Sequence, residues 1–439
     1  MNILDYKNTP SAAQTNKNEY FRNLNDDSDI ILQQTLIFDK LFTSSNDSDD
    51  LFTLLSCLSN TISGRVKALK EEFLSEKFHD LLFNNLSFDL PLISETVLIV
   101  ITKLLTIYGD KNFDRFCESD FLLKYFDFIF HENLSLKICS FRIFALVSSI
   151  SEENAIKCLD FFVGIYEQMN LPRNEEVLMY GLCFILQIMK INDLNVFYYF
   201  EDFSFVFESL NSSNMKIRLI SMEIYREAVL KKLDYFLENI DQVLLFDDTS
   251  SEIVAASLRI CKTFTSLSPM SAQSMILIYK LFHLLSHRST PNIRFLTLES
   301  IESCLSHFPT VFEYNDSYTQ VILKTVKNGG LNIQVQGALC LAYVILKIDI
   351  SNIVKVPIQE IMNLFLHVLE SDSEVKKIRV IFSALLLMID ATTTFDNCLE
   401  VLKPVYEFDF SQLSEKMPEN VKHVKDKLDK ISRNQKIPL

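Results

Sequence analysis

Tryptophan is absent from the 439 residues, glycine occurs only 7 times and proline 10. So little glycine and proline leaves no stretch between residues 50 and 400 that reads as an interdomain linker. No uncharged apolar run reaches the roughly 18 residues of a membrane-spanning helix. The longest candidates, such as Leu178 to Met189, have core-helix length. Met1 to Ser11 lacks a basic stretch followed by an apolar one, so no secretory signal is read there. The 9 cysteines are scattered singly, several of them (Cys139, Cys183, Cys261, Cys340) at apolar helical positions. They form no paired framework, and a reducing compartment is expected, cytoplasm or nucleus. There is no Gly-rich phosphate loop, no nucleophile elbow and no CxxC pair, so no catalytic residues and no cofactor are expected.

What the chain does contain is apolar residues, 48% of the total with 36 Phe, arranged in a recurring helical pattern. Apolar anchors at Leu51, Ile93, Leu136, Val177, Ile217, Ile253, Ile293, Val335 and Val375 stand 42, 43, 41, 40, 36, 40, 42 and 40 residues apart. After each anchor, apolar or small residues follow at offsets of about 3, 4, 7, 8 and 11, which is one face of a helix. In the sixth copy these are Ile253, Ala256, Ser257, Ile260, Cys261 and Phe264. Before each anchor lies a polar break such as Glu132 to Ser135 or Lys327 to Asn332, and before the break a second apolar helix such as Leu122 to Phe130. Asn, Asp, Ser and Gly in the breaks end one helix and cap the next. A period of roughly 40 residues with this content is that of a stacked helical repeat, which also explains how so long a chain buries a core without a single large globule.

Net charge is −15. From Ser411 onward 7 basic residues face 4 acidic ones, a net of +3, so the remaining body carries −15 − 3 = −18. An acidic body argues against nucleic acid, whose binding rests on Lys and Arg neutralising phosphates.

The stretch Asn332-Ile-Gln-Val335-Gln-Gly-Ala338-Leu-Cys-Leu-Ala342-Tyr-Val-Ile-Leu346 resembles the third helix of an armadillo repeat. Pro418-Glu-Asn-Val421 and Ser373-Glu-Val375 resemble the start of that helix. Most repeats here lack the Gly that armadillo units carry between their first and second helices, so armadillo and HEAT subtypes both stay open. The resemblance covers about residues 30 to 435. It implies an all-α fold, a right-handed α-solenoid of about nine to ten repeats. Its third helices would line a concave groove that receives protein or peptide segments. Nuclear-import adaptors of this superfamily use a Trp at offset 6 and an Asn at offset 10. Offset 6 here holds Cys57, Ile99, Arg142, Cys183, Glu223, Arg259, Glu299, Leu341 and Ile381. Offset 10 holds Thr61, Lys103, Leu146, Gln187, Glu227, Thr263, Ser303, Ile345 and Leu385. With neither a Trp nor an Asn in these ladders, a nuclear-localisation-signal receptor of that kind is rejected.

The candidate groove is mixed in sign at its middle, with Arg142 and Arg259 against Glu223, Glu227 and Glu299, accompanied by Gln187, Thr263 and Ser303. Its end is apolar at Leu341, Ile345, Ile381 and Leu385. Those four read either as a slot for an amphipathic partner helix or as side chains buried by neighbouring helices. His283 and His287, with Cys304 and His307 one repeat later, have helical spacing for a shared metal but no Glu placed as a general base, and no metal is expected.

The chain divides on these grounds into a disordered tail at 1–27, repeats at 28–410, and a basic C-terminal helix and tail at 411–439. Val421, Val424, Leu428 and Ile431 form one narrow apolar stripe on that last helix. It reads as a degenerate capping repeat or as a basic segment folding back on the acidic body. The expected function is a non-enzymatic intracellular protein-interaction scaffold. The alternative is a permanent subunit of a trafficking or nucleocytoplasmic-transport assembly, adaptor- or importin-like.

Overall fold

A computed structural model describes residues 27–43, 48–62, 75–108, 114–169, 174–191, 204–267, 273–287, 290–307, 315–353, 355–371, 374–395 and 397–434. Every regular element among them is helical. The chain forms two compact units, residues 1–227 and 228–439. The tail at 1–26 lies outside the described residues; Asp27, given to the tail by the sequence, opens the first helix.

The first unit contains α1 (Asp27–Thr43), α2 (Ser48–Thr61), α3 (Glu76–Asn84), α4 (Pro91–Tyr108), α5 (Ser119–Ile129), α6 (Leu134–Ile150), α7 (Glu152–Cys158), α8 (Phe162–Met169), α9 (Glu175–Met189), α10 (Ser204–Leu210) and most of α11 (Met215–Leu230). The long helices α2, α4, α6 and α9 pack each on the next in chain order, while α5, α7 and α8 pack against them as a covering layer. The polar breaks do the capping that their composition suggests. Asn133 accepts the amide hydrogens of Ser135 and Leu136 at the start of α6, and Asn174 those of Glu176 and Val177 at the start of α9. Each cap satisfies donors that a helix start leaves orphaned and stops the preceding apolar run from continuing.

The second unit contains α12 (Asp234–Glu238), α13 (Ser251–Leu267), α14 (Gln273–His287), α15 (Pro291–His307), α16 (Asp316–Lys327), α17 (Leu331–Lys347), α18 (Ile350–Ile353), α19 (Ile358–Glu370), α20 (Val375–Thr392), α21 (Cys398–Glu407), α22 (Ser411–Lys416) and α23 (Pro418–Asn434). Its long helices α13, α15, α17 and α20 again stack in chain order, with α14, α16 and α19 as the covering layer. Buried polar side chains tie successive long helices together. The Ser300 hydroxyl donates to the Leu258 carbonyl at 3.2 Å, the Cys340 thiol donates to the Leu298 carbonyl at 3.1 Å, and the Thr265 and Ser303 hydroxyls share a 2.8 Å hydrogen bond. At the far end α23 packs on α20 and α22. Its stripe Val421, Val424, Leu428 and Ile431 is buried, the Tyr406 hydroxyl donates to the Leu428 carbonyl at 2.9 Å, and Lys427 pairs with Asp390.

Helix starts correct the register read from the sequence. The helices carrying the second to seventh anchors begin at Pro91, Leu134, Glu175, Met215, Ser251 and Pro291, each two residues before its anchor. The next two long helices begin at Leu331 and Val375, so their anchor positions are 333 and 377 rather than 335 and 375. Exposure agrees: Ile333 is buried, whereas Val335 is half-exposed and Val375 exposed. A buried glycine agrees as well. Gly181 stands four residues after the anchor Val177 and Gly337 four after the corrected anchor Ile333, and a Cβ there would come within 2.5 Å of Met169 Sδ and 2.2 Å of Val326 Cγ1. At these two places the covering helix approaches the long helix closely enough that only hydrogen fits on the Cα.

Candidate functional site

With offsets 4, 7, 8 and 11 turned into the stack, offsets 2, 6 and 10 of each long helix form its outward strip. In the first unit that strip holds Glu95, Ile99 and Lys103 on α4, Ile138, Arg142 and Leu146 on α6, Met179, Cys183 and Gln187 on α9, and Leu219, Glu223 and Glu227 on α11. All are half-exposed except Leu146 and Cys183, which their neighbours nearly cover.

The charged members are arranged unevenly. Glu223 and Glu227 bracket Arg226 at 3.2 and 3.0 Å, an ion triad whose Arg226 Nε is buried without a hydrogen-bond partner. Lys103 donates from Nζ to the Ser59 carbonyl at 2.6 Å, and the Arg142 guanidinium lies over the Tyr180 ring at 5.8 Å. Burial, and then the neighbouring Arg142, hold the Lys103 ammonium below its ordinary pKa. Neither cation has a carboxylate partner among the described residues. Burial pushes the Glu95 carboxyl up, opposed by a hydrogen bond from Ser135. The Cys139 thiol beside this strip is pushed up to about 12, chiefly by burial, so it is a poor nucleophile.

In the second unit the strip holds Ala255, Arg259 and Thr263 on α13, Phe295, Glu299 and Ser303 on α15, Val335, Leu339 and Tyr343 on α17, and Arg379, Ser383 and Leu387 on α20. Arg259 is exposed and Thr263 returns its hydroxyl to the Arg259 carbonyl at 2.9 Å. Glu299 pairs with Lys262 of the preceding long helix at 2.8 Å. Ser303 is buried, spending its hydroxyl on Thr265 and, at 3.4 Å, on the Lys262 carbonyl. Glu302, one position before Ser303, has its carboxyl raised by burial.

Leu341, Ile345, Ile381 and Leu385 are fully buried, so the apolar end read as a slot is core. At 3.6 residues per turn a slip of two residues rotates a helix by about 200°, which exchanges its inner and outer faces. The strip at that end instead presents Val335, Tyr343, Arg379, Ser383 and Leu387, with Leu339 buried between the first two. A fixed distance from the helix start, and the Gly four residues after the anchor, are the sequence signals that would have found them.

His283 and His287 stack with ring centroids 4.1 Å apart, and His287 Nδ1 lies 2.9 Å from the His283 carbonyl. That interaction satisfies a carbonyl at a helix end, and no group of three or more metal-ligating side chains occurs among the described residues. Likewise no helix among them is long and apolar enough to cross a membrane.

No protein-family model matches the sequence, and no curated protein matches it. Among solved structures the chain is similar to an engineered protein from the Northeast Structural Genomics Consortium. That likeness has TM-score 0.63 at 12% identity and covers 90% of this chain and 99% of the other. A designed armadillo repeat protein matches at TM-score 0.41 and 13% identity, over 51% of this chain and 99% of its own. A computationally designed armadillo repeat protein for modular peptide recognition matches at 0.42 and 12%, again over 51% and 99%. The first likeness concerns the fold alone. Together with the stacked helix layers of each unit, it gives the chain an all-α fold of stacked helical repeats, the α-solenoid class.

Proposed function

We propose that the chain is a non-enzymatic repeat scaffold that binds protein segments along the outward strip of its long helices. The observation that carries this reading is the strip itself: on every one of these long helices at least one of the three positions, and on most of them two or three, is left half-exposed or exposed by the core, and the pattern recurs on successive helices. Such a row offers a partner one contact set per repeat, the way stacked repeats build extended binding surfaces. The 9 free cysteines fit a reducing compartment, and we place the protein in the cytoplasm. In the same reading α23 is a capping element, its apolar stripe closing the last core and its charged side facing solvent.

A photocrosslinking amino acid at Ile138 or Val335, compared with one at Leu123 or Val163 on the covering layer, tests the reading with native partners. Adducts from the strip positions are expected; adducts confined to the covering layer would overturn it. A permanent subunit role is favoured by one further observation, the apolar side chains exposed where helices start in the first unit. Phe88, Leu90, Leu92, Phe130 and Leu134 are all exposed there, Leu92 at 63%. Adducts from Leu92 and Leu134 that persist through purification would select that role.

A further inference from the structure

We infer that Lys103 on α4 and Arg142 on α6 form an anion subsite that grips two acidic side chains of a bound partner segment. The inference rests on the reading that partner segments lie on the strip, and it names their chemistry. The two residues sit on long helices that pack directly on one another, both half-exposed and both on the outward strip. They are close enough for the guanidinium to oppose the ammonium, and no described carboxylate pairs with either. This happens in a chain where Asp and Glu number 57 against 42 Lys and Arg, so carboxylates outnumber cations. Two acids of this neighbourhood stand near helix starts, Glu95 on α4 and Glu176 on α9. Glu95 lies two turns before Lys103 and takes a hydrogen bond from Ser135; Glu176 lies one turn before Tyr180.

Lys103 uses one N–H on Ser59, which fixes its direction and leaves the remaining donors for a ligand. Arg142 is steadied against Tyr180 with its fork available for a bidentate contact. Two like charges on neighbouring helices in a partly desolvated place repel one another, and bound anions relieve that repulsion. Ile99 and Ile138, one turn before each cation, add apolar contact. Packed helices lie about 8–10 Å apart. A polyproline-II segment advances about 9 Å in three residues and returns to the same face, so acidic residues at i and i+3 would meet one cation each. Carboxylate and phosphoryl groups share this chemistry.

The test uses the full chain and a fluorescein-labelled, proline-rich peptide with Glu at every third position, with matched phosphoserine and Lys peptides. Binding of the Glu or phosphoserine peptide is expected, weakening as salt rises. The tighter of the two identifies the anion. The Lys103→Gln/Arg142→Gln variant should bind at least tenfold more weakly while melting no lower than the wild type. The Lys103→Glu/Arg142→Glu variant should come to prefer the Lys peptide. Each single Gln variant carries the same test should the pair not fold. Undiminished affinity in the Gln variants, or a Glu-peptide preference retained after charge reversal, overturns the subsite. If partners still crosslink at Ile138 in that case, the scaffold reading stands without it; an absence of strip crosslinks removes both.

Discussion

The strips of the two units share one geometry and differ in chemistry. In the first unit, Lys103 and Arg142 stand on neighbouring long helices, and neither has a carboxylate partner among the described residues. In the second, the strip cations Arg259 and Arg379 stand on α13 and α20, which are not neighbours in the stack; between them Glu299 pairs with Lys262 and α17 presents Val335 and Tyr343. The backbone periodicity therefore fixes where outward residues stand. Single residues at offsets 6 and 10, Lys103 against Thr263, decide which chemistry each stretch exposes.

The contrast can be broken most severely from beneath. Leu341→Ala removes a fully buried side chain of α17 and should cost about 2–5 kcal/mol in urea unfolding, with strip chemistry unchanged. A loss near zero would return Leu341 to the surface and undo the register. Next in size is the pair of close approaches. Gly337→Ala meets the branched Val326 and should destabilise by about 1–3 kcal/mol, while Gly181→Ala meets the flexible Met169 and should cost less. Thermal unfolding of the two variants side by side checks the order.

A smaller change would make the second strip resemble the first. Glu299→Gln frees Lys262 and should alter stability by under about 1 kcal/mol, because the pair is partly exposed. It should also raise affinity for the Glu peptide, read by fluorescence polarisation. Smallest is Glu302→Gln. A carboxyl raised in the fold holds its proton more tightly there than when unfolded. It therefore favours the fold at low pH, and that contribution is lost as pH rises through the folded value. The variant should melt slightly higher at pH 7, and its advantage should vanish as pH falls to about 4.

Most of the fold was legible because caps and apolar spacing are local signals: Asn133, Asn174 and the anchors from Ile93 to Ile293 needed no tertiary information. The last two long helices misled for particular reasons. Ile333 and Val335 are both apolar and two apart, so periodicity alone accepts either as the anchor, and position 377 is a Lys that hides the anchor altogether. That slip carried Leu341, Ile345, Ile381 and Leu385 to the wrong face. The unevenness of charge was less legible still. Lys262 meets Glu299 across 37 residues, a pairing that only stacking of adjacent helices creates.

The order of stacking has a kinetic consequence. Within the second unit α13 touches α15, α15 touches α17 and α17 touches α20, so the long-helix contacts join segments about 40 residues apart and no further. Loop closure over such distances is cheap and equal at every step, so no pairing must wait for distant chain ends to meet. Such a stack can nucleate at any junction and grow outward. Amide exchange should then be slowest in α15 and α17, which have a long helix on both sides, and the inter-helix bonds of Ser300 and Cys340 should be the last to open.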